Sequence, residues 1–403
     1  IITGSTALAV RVSGSTALTG SLFVSGTVSG SFGMGELPKY NGSLSGNYRN
    51  SKVNAFGTLG AMNNENFNTL NFKNFQNKLI IDEKNRSENT TRNVNYRLGT
   101  DYYVADGHIL GFLVTGRNGE TTGRGNNRSE ISADSVVTQI DSVLIANNQT
   151  DRTVSQYTAN TNYRYQKNNN TFNIDLDFGR FNNDGKTNQP NEYFTEDGIP
   201  LSSVITSYTT PRVIDIYTGK IDYETEALGG KIGIGSKYGV VSSDNTFLFN
   251  DVIDGEEIQN NLRSNQFDYN ETVIAGYVSY NRSLSDKVSI STGVRVENTD
   301  SKGELMAFIP ELQEAPVDTN YTNLFPTLGI SFQYAPMHSF SANYGRRINR
   351  PDYNVLNPFK EQKSILSFSK GNPFLRPEIV NNVEMGYTYN YRYKTCLAIV
   401  WIL

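Results

Sequence analysis

At 403 residues the chain is long enough for two or three ordinary domains or one large all-β unit, and it is polar, with 37% hydrophobic residues and a mean hydropathy of -0.46. No run of about 18 apolar residues occurs, which excludes a membrane-spanning helix but not a β-barrel, whose strands turn only every second residue toward lipid. Thirty-six Lys and Arg against forty Asp and Glu leave a net charge of -4, so no basic excess argues for nucleic acid, and the lone Cys396 forms neither an internal disulfide nor a thiolate metal site.

The chain opens without a secretion signal: Ile1 to Val10 carry no charged region ahead of a long apolar core. The expectation is that the true N-terminus lies upstream. Gly4-Ser5-Thr6-Ala7-Leu8 recurs as Gly14-Ser15-Thr16-Ala17-Leu18, and further Ser/Gly/Thr-rich β runs follow to Gly30. Such short repeats resemble stacked fibrous phage-tail or adhesin units, yet too few are present to stack into a core. Residues 1–38 are therefore read as a low-complexity leader of foreign origin, and 39–403 as the main domain.

From Lys39 onward the pattern has period two. Val94, Tyr96 and Leu98 alternate with Asn95, Arg97 and Gly99; Phe172, Ile174, Leu176 and Phe178 alternate with Asn173, Asp175, Asp177 and Gly179. Val288, Ile290, Val294 and Val296 stand opposite Ser289, Ser291, Arg295 and Glu297, and Leu328, Ile330, Phe332 and Tyr334 repeat the alternation. These two-faced runs last about ten to fourteen residues, the length a tilted strand needs to cross a bilayer and longer than most soluble strands. With 24 Tyr, 21 Phe and a single Trp, the outward tyrosines Tyr280, Tyr334, Tyr344 and Tyr389 suit an interfacial girdle.

Short links at Asn50-Ser51, Ala105-Asp106-Gly107, Lys167 to Asn170, Ala227 to Gly230, Ser285-Asp286 and Pro336-Met337 alternate with long polar segments near 64–92, 119–154, 183–211, 243–269, 302–322 and 351–379. Tight turns at one end and long loops at the other are the asymmetry of an outer-membrane barrel. The reading is all-β, an antiparallel up-and-down transmembrane β-barrel of about thirteen strands with a fourteenth begun near Lys394.

The stretch Tyr344-Gly345-Arg346-Arg347-Ile348-Asn349-Arg350-Pro351-Asp352-Tyr353, then Leu356-Asn357-Pro358-Phe359 and Gly371-Asn372-Pro373-Phe374-Leu375-Arg376-Pro377-Glu378, resembles the signature of a Bacteroidetes-type outer-membrane β-barrel family related to TonB-dependent receptors. In that resemblance Pro351, Asn357, Pro358, Gly371, Asn372, Pro373, Pro377 and Glu378 are structural signature positions. It implies a bacterial outer-membrane protein in contact with lipid, importing an unknown small nutrient, with the TonB system engaged only through an N-terminal plug. No plug precedes residue 39, the strands fall short of the about 22 of a plugged transporter, and Cys396 to Leu403 abandons alternation. The expectation is a fragment lacking plug and C-terminal strands. A surface adhesin or phage-tail-like structural protein is the alternative.

Chemistry is sparse. Only His108 and His338 exist, both beside turns, and they are read as solvated. No nucleotide-binding glycine fingerprint occurs, and lumen-facing carboxylates such as Asp175, Asp177 and Glu297 are what any wet lumen supplies. No catalytic residue and no cofactor is assigned, and the chain is read as a non-enzyme. Asp251, Asp254, Glu256 and Glu257 form a weak Ca²⁺ candidate in a loop without EF-hand alternation. Arg346, Arg347 and Arg350, where a strand gives way to a Pro/Asn-rich loop, either contact an anionic ligand or tie that loop to wall carboxylates.

Overall fold

The computed structural model describes residues 6–18, 22–76, 78–133, 140–357, 360–364, 367–391 and 394–402. The period-two segments form strands throughout. In chain order they begin with β1 (Thr6–Leu18), β2 (Leu22–Met34), β3 (Pro38–Arg49), β4 (Val53–Gln76), β5 (Leu79–Ala105), β6 (His108–Ala133) and β7 (Ser142–Lys167). The middle of the chain gives β8 (Asn170–Phe194), β9 (Pro200–Thr209), β10 (Arg212–Ala227), β11 (Gly230–Ile253), β12 (Glu256–Gln259), β13 (Asn265–Ser285) and β14 (Val288–Ala307). After these come β15 (Val317–Ala335), β16 (His338–Asn349), one helical turn α1 (Tyr353–Leu356), β17 (Lys360–Ser364), β18 (Ser367–Lys370), β19 (Glu378–Tyr391) and β20 (Lys394–Ile402).

Eighteen of these strands share one antiparallel sheet, and β17–β18 form a separate hairpin. Setting aside β9 and β12, which pair only in the region of long connections, sixteen strands follow one another up and down. Fourteen of them begin at or after β3, the number expected from alternation alone. The leader is not set apart from this sheet. β2 pairs with β3 from Phe23↔Arg49 to Met34↔Pro38, and its Val24, Val28 and Phe32 share a face with Tyr48, Leu44 and Tyr40. The ladder therefore crosses the boundary drawn at residue 38.

The turn ends are tight because their residues accept the backbone they need. Leu228-Gly229 has φ of 56° and 73°, the left-handed pair that matches the twist of a two-residue hairpin. The opposite end differs from expectation. The segments read as long loops are largely strand: β4 and β5 stay in register from Val53↔Tyr102 to Gln76↔Leu79, and β6 with β7 from His108↔Tyr165 to Ile131↔Ser142. The apolar half of the alternation fades there, and with it the sequence signal. The ladder continues because paired backbone groups remain satisfied when both faces of a hairpin are wet. β9 fills the gap beyond β10, pairing with the outer parts of β8 and β11.

Register assigns every residue of the wall to one of two faces. Leu44, Leu59, Leu98, Val114, Leu176, Ile221, Ile234, Val278, Val296 and Leu328 are exposed on one face, which is the lipid-facing band. Near the short turns this band ends in aromatic residues. His108 lies opposite Tyr165 with ring centroids 4.7 Å apart, and its Nδ1 is 2.7 Å from the Tyr163 hydroxyl. His338 repeats the arrangement, 4.8 Å from Tyr389 and 2.7 Å from the Tyr387 hydroxyl. Both histidines thus belong to a girdle of tyrosines, not to open solvent, because each starts a strand on the apolar face where amphipathic rings collect.

A charge placed in this band should cost far more than one on the other face. Val278→Arg is expected to destabilise the protein by about 2 kcal/mol or more, and Ser279→Arg by little, as lipid-facing and lumen-facing arginines differ. Urea unfolding after refolding into phospholipid vesicles measures both.

Candidate functional site

The polar face is the lumen side, and its best-built region lies where the segment after β16 folds against β13, β14 and β15. Arg350 follows the last residue of β16 and reaches the wall. Its Nη2 donates to Glu297, with which it also forms an ion pair, and to Thr299 Oγ1 at 2.9 Å. Its Nε lies 3.9 Å from a Glu271 carboxylate oxygen. Glu297 receives a second guanidinium from Arg295, Nε to Oε2 2.9 Å, and Glu271 accepts the Tyr269 hydroxyl at 3.0 Å. Both carboxylates are buried, at 6% and 7% exposure, so their charges depend on these partners.

Behind Arg350 the chain makes the single turn α1, and Leu356 packs in a buried apolar cluster with Phe267, Tyr269 and Leu305 of β13 and β14. Two backbone hydrogen bonds bind the far end of the loop to this turn: Gly371 N–H donates to Asn357 O at 2.9 Å, and Asn372 N–H to Val355 O at 2.7 Å. A Cβ on Gly371 would stand 2.3 Å from Asn357 O and 2.6 Å from Val355 O, so only glycine permits the approach. Asn372 then caps the next turn, its Oδ1 accepting Phe374 N–H at 3.0 Å. Pro351, Pro373 and Pro377 line the seam between loop and wall, and Glu378 opens β19 opposite Asn349. The seam encloses about 40 Å³, room for water but not for a solute.

The signature residues thus build a docked strap on the lumen wall; Pro358 lies outside the described residues. The three candidate arginines do not form one site. Arg350 is held by wall carboxylates, Arg347 is exposed opposite Val380, and Arg346 stands opposite Asn381 on the lipid-facing side of β16. The sequence marks Arg350, Glu297, Arg295 and Leu356 separately, as candidate, lumen acid, polar-face residue and signature residue, and Glu271 goes unmarked. The available signal was an acid flanked on its own face by Tyr269, Val273 and Ala275.

The acidic loop candidate does not converge. Asp251 pairs with Ile258 and Val252 with Glu257, which puts Asp251 and Glu257 on opposite faces of the β11–β12 hairpin. Asp251 accepts Asn260 Nδ2 at 2.7 Å, while Asp254 occupies the turn with φ 53°. Glu256 opens β12 opposite Ile253. Glu257 pairs with Lys186 at 2.7 Å, and that hydrogen-bonded ammonium holds its carboxyl below the ordinary value. Among the described residues no three His, Cys, Asp or Glu side chains are grouped to hold a metal.

Residues 163–399 match the model described as the Outer membrane protein beta-barrel family. The chain belongs to that family. The matched span contains β8 to β19 and the whole docked strap, so the lipid-facing band and the strap are features of a bacterial outer-membrane barrel. No curated protein matches the chain. Solved structures that resemble it include the ferric yersiniabactin uptake receptor of Yersinia pestis, at 8% identity and a TM-score of 0.31, covering 98% of this chain and 77% of that one. The translocator domain of autotransporter NalP from Neisseria meningitidis is similar at 13% identity and a TM-score of 0.24, covering 73% and 82%. The toluene transporter TodX of Pseudomonas putida is similar at 9% identity and a TM-score of 0.29, covering 86% and 84%. Likeness at this level defines neither substrate nor site.

Proposed function

We propose that this barrel is the wall of an outer-membrane import channel of the TonB-dependent receptor kind, carrying a small nutrient rather than catalysing a reaction. The observation that supports the reading is the strap held against the polar face by buried ion pairs. A loop so anchored narrows and shapes a lumen, which serves passage, whereas an adhesin would present its loops outward. The pairing of β2 with β3 supports reading the Ser/Gly/Thr-rich leader as part of the same sheet and not as a separate fibrous unit. Coupling to TonB, in this reading, acts through a plug domain, and no described element is one. A Bacteroidetes source is part of the same reading, carried by the motif from Tyr344 to Glu378.

The test is solute flux through the purified, refolded protein. Proteoliposomes should swell in small sugars or amino acids, and deletion of residues 353–375 should raise the permeation rate. Liposomes that remain impermeable with the strap present and with it deleted would contradict the channel reading.

A further inference from the structure

The strands β4 to β7 treat charge differently on their two faces. On the outward face of their wet extensions acids and bases are matched in register: Arg92 stands opposite Glu120, and Glu88 opposite Arg124. On the lumen side of these strands the charged residues are Arg97, Arg117, Arg152 and Arg164, against Asp101 and the outlying Glu83. Asp101 already accepts Asn54 Nδ2 at 2.9 Å and lies four residues from Arg97 along β5.

Arg97 and Arg117 are diagonal neighbours. Arg97 faces Thr115 across the β5–β6 ladder, and Arg117, two residues further along, faces Asn95. Such a diagonal spans about 7–8 Å between backbones, within reach of two long side chains. Among the described residues neither guanidinium has a carboxylate at ion-pair distance, and both are exposed to the lumen. Around them are neutral amides and hydroxyls: Asn95, Gln156 opposite Arg117, and Thr158 opposite Thr115. Arg97 also lies 5.9 Å from the Phe56 ring, which limits where its planar head can swing.

We propose that Arg97 and Arg117 form an anion-binding station on the lumen wall, and that the solute carried is a small oxyanion bearing carboxylate or phosphate groups. Two guanidiniums side by side repel unless an anion lies between them. Their planar donor forks match the oxygens of a carboxylate or phosphate, and the amides beside them add uncharged donors. Asp175, Lys220, Asp222 and Lys231 with Glu224, on β8 to β11, are by contrast already neighbours of opposite charge. The proposal rests on the channel reading above, and both arginines lie outside the residues matched by the family model.

Equilibrium dialysis of pyrophosphate against the full refolded chain in detergent tests it, with folding checked by the heat-dependent shift in gel mobility. Wild-type protein should retain pyrophosphate at low salt, and the double variant Arg97→Gln, Arg117→Gln should bind at least about tenfold more weakly. Lys237→Gln, on the same face of β11, should bind as the wild type does. Absence of retention by the wild type, or equal retention by the double variant, overturns the station. Liposome permeability separates the two ideas: flux without pyrophosphate binding removes the station alone, and binding without flux removes the channel.

Discussion

Replacing Arg350 with alanine is expected to lower stability by about 3 kcal/mol and to free the strap. Removing one partner of a buried ion pair typically costs about 3–5 kcal/mol, because the remaining charge keeps its desolvation penalty. Glu297 keeps Arg295 at 2.9 Å, so the lower end of that range applies to it, but among the described residues Glu271 would retain only the Tyr269 hydroxyl. Urea unfolding in lipid vesicles measures the loss. Combining Arg350→Met with Glu271→Gln should recover part of it, since the carboxylate left without a cation is then neutral while Glu297 keeps Arg295. A loss below about 0.5 kcal/mol would match an exposed surface pair and would contradict the docked strap.

Gly371→Ala should open the strap by a different route. The added methyl would stand 2.3 Å and 2.6 Å from two backbone carbonyl oxygens that cannot swing aside as a side chain does. Relief requires separating Gly371 and Asn372 from α1, which breaks both hydrogen bonds and draws Leu356 from its cluster. The expected cost is about 3 kcal/mol, from one fully buried leucine and two unmade backbone hydrogen bonds. Trypsin has Lys360, Lys363, Lys370 and Arg376 in this segment. Where cleavage follows the open population, that cost predicts roughly a hundredfold faster digestion than in the wild type. Equal digestion rates would mean that the strap is already undocked in the native protein.

The wall was legible in the sequence because a strand crossing a membrane must alternate. Phe172, Ile174, Leu176 and Phe178 announce β8 without any partner in view, and the tight turns announce the pairing. The outer hairpins were not legible as strands. Between Asn64 and Arg92 neither face is consistently apolar, and alternation is the only local signature of a strand that sequence offers. The leader was read apart because Ser, Gly and Thr repeated at short spacing resemble a fibrous unit, while β2 pairs with β3 in the sheet. The strap was half legible. Its prolines and glycine mark a shaped loop, but its direction depends on Glu271 and Glu297, which lie 79 and 53 residues before Arg350 and show no pattern linking them to it. The arginine station escaped notice because Arg97 and Arg117 become neighbours only once β5 and β6 are in register.

The most direct test of the barrel is a nitroxide scan of β13 in lipid vesicles, with Cys396 replaced by serine and single cysteines placed from Thr272 to Tyr280. Alternation of period two is expected: Ile274, Gly276, Val278 and Tyr280 accessible to oxygen dissolved in lipid, and Val273, Tyr277 and Ser279 accessible to a water-soluble nickel relaxant. Equal access to the aqueous relaxant at both sets of positions would show that neither face meets lipid, and the transmembrane barrel would be contradicted.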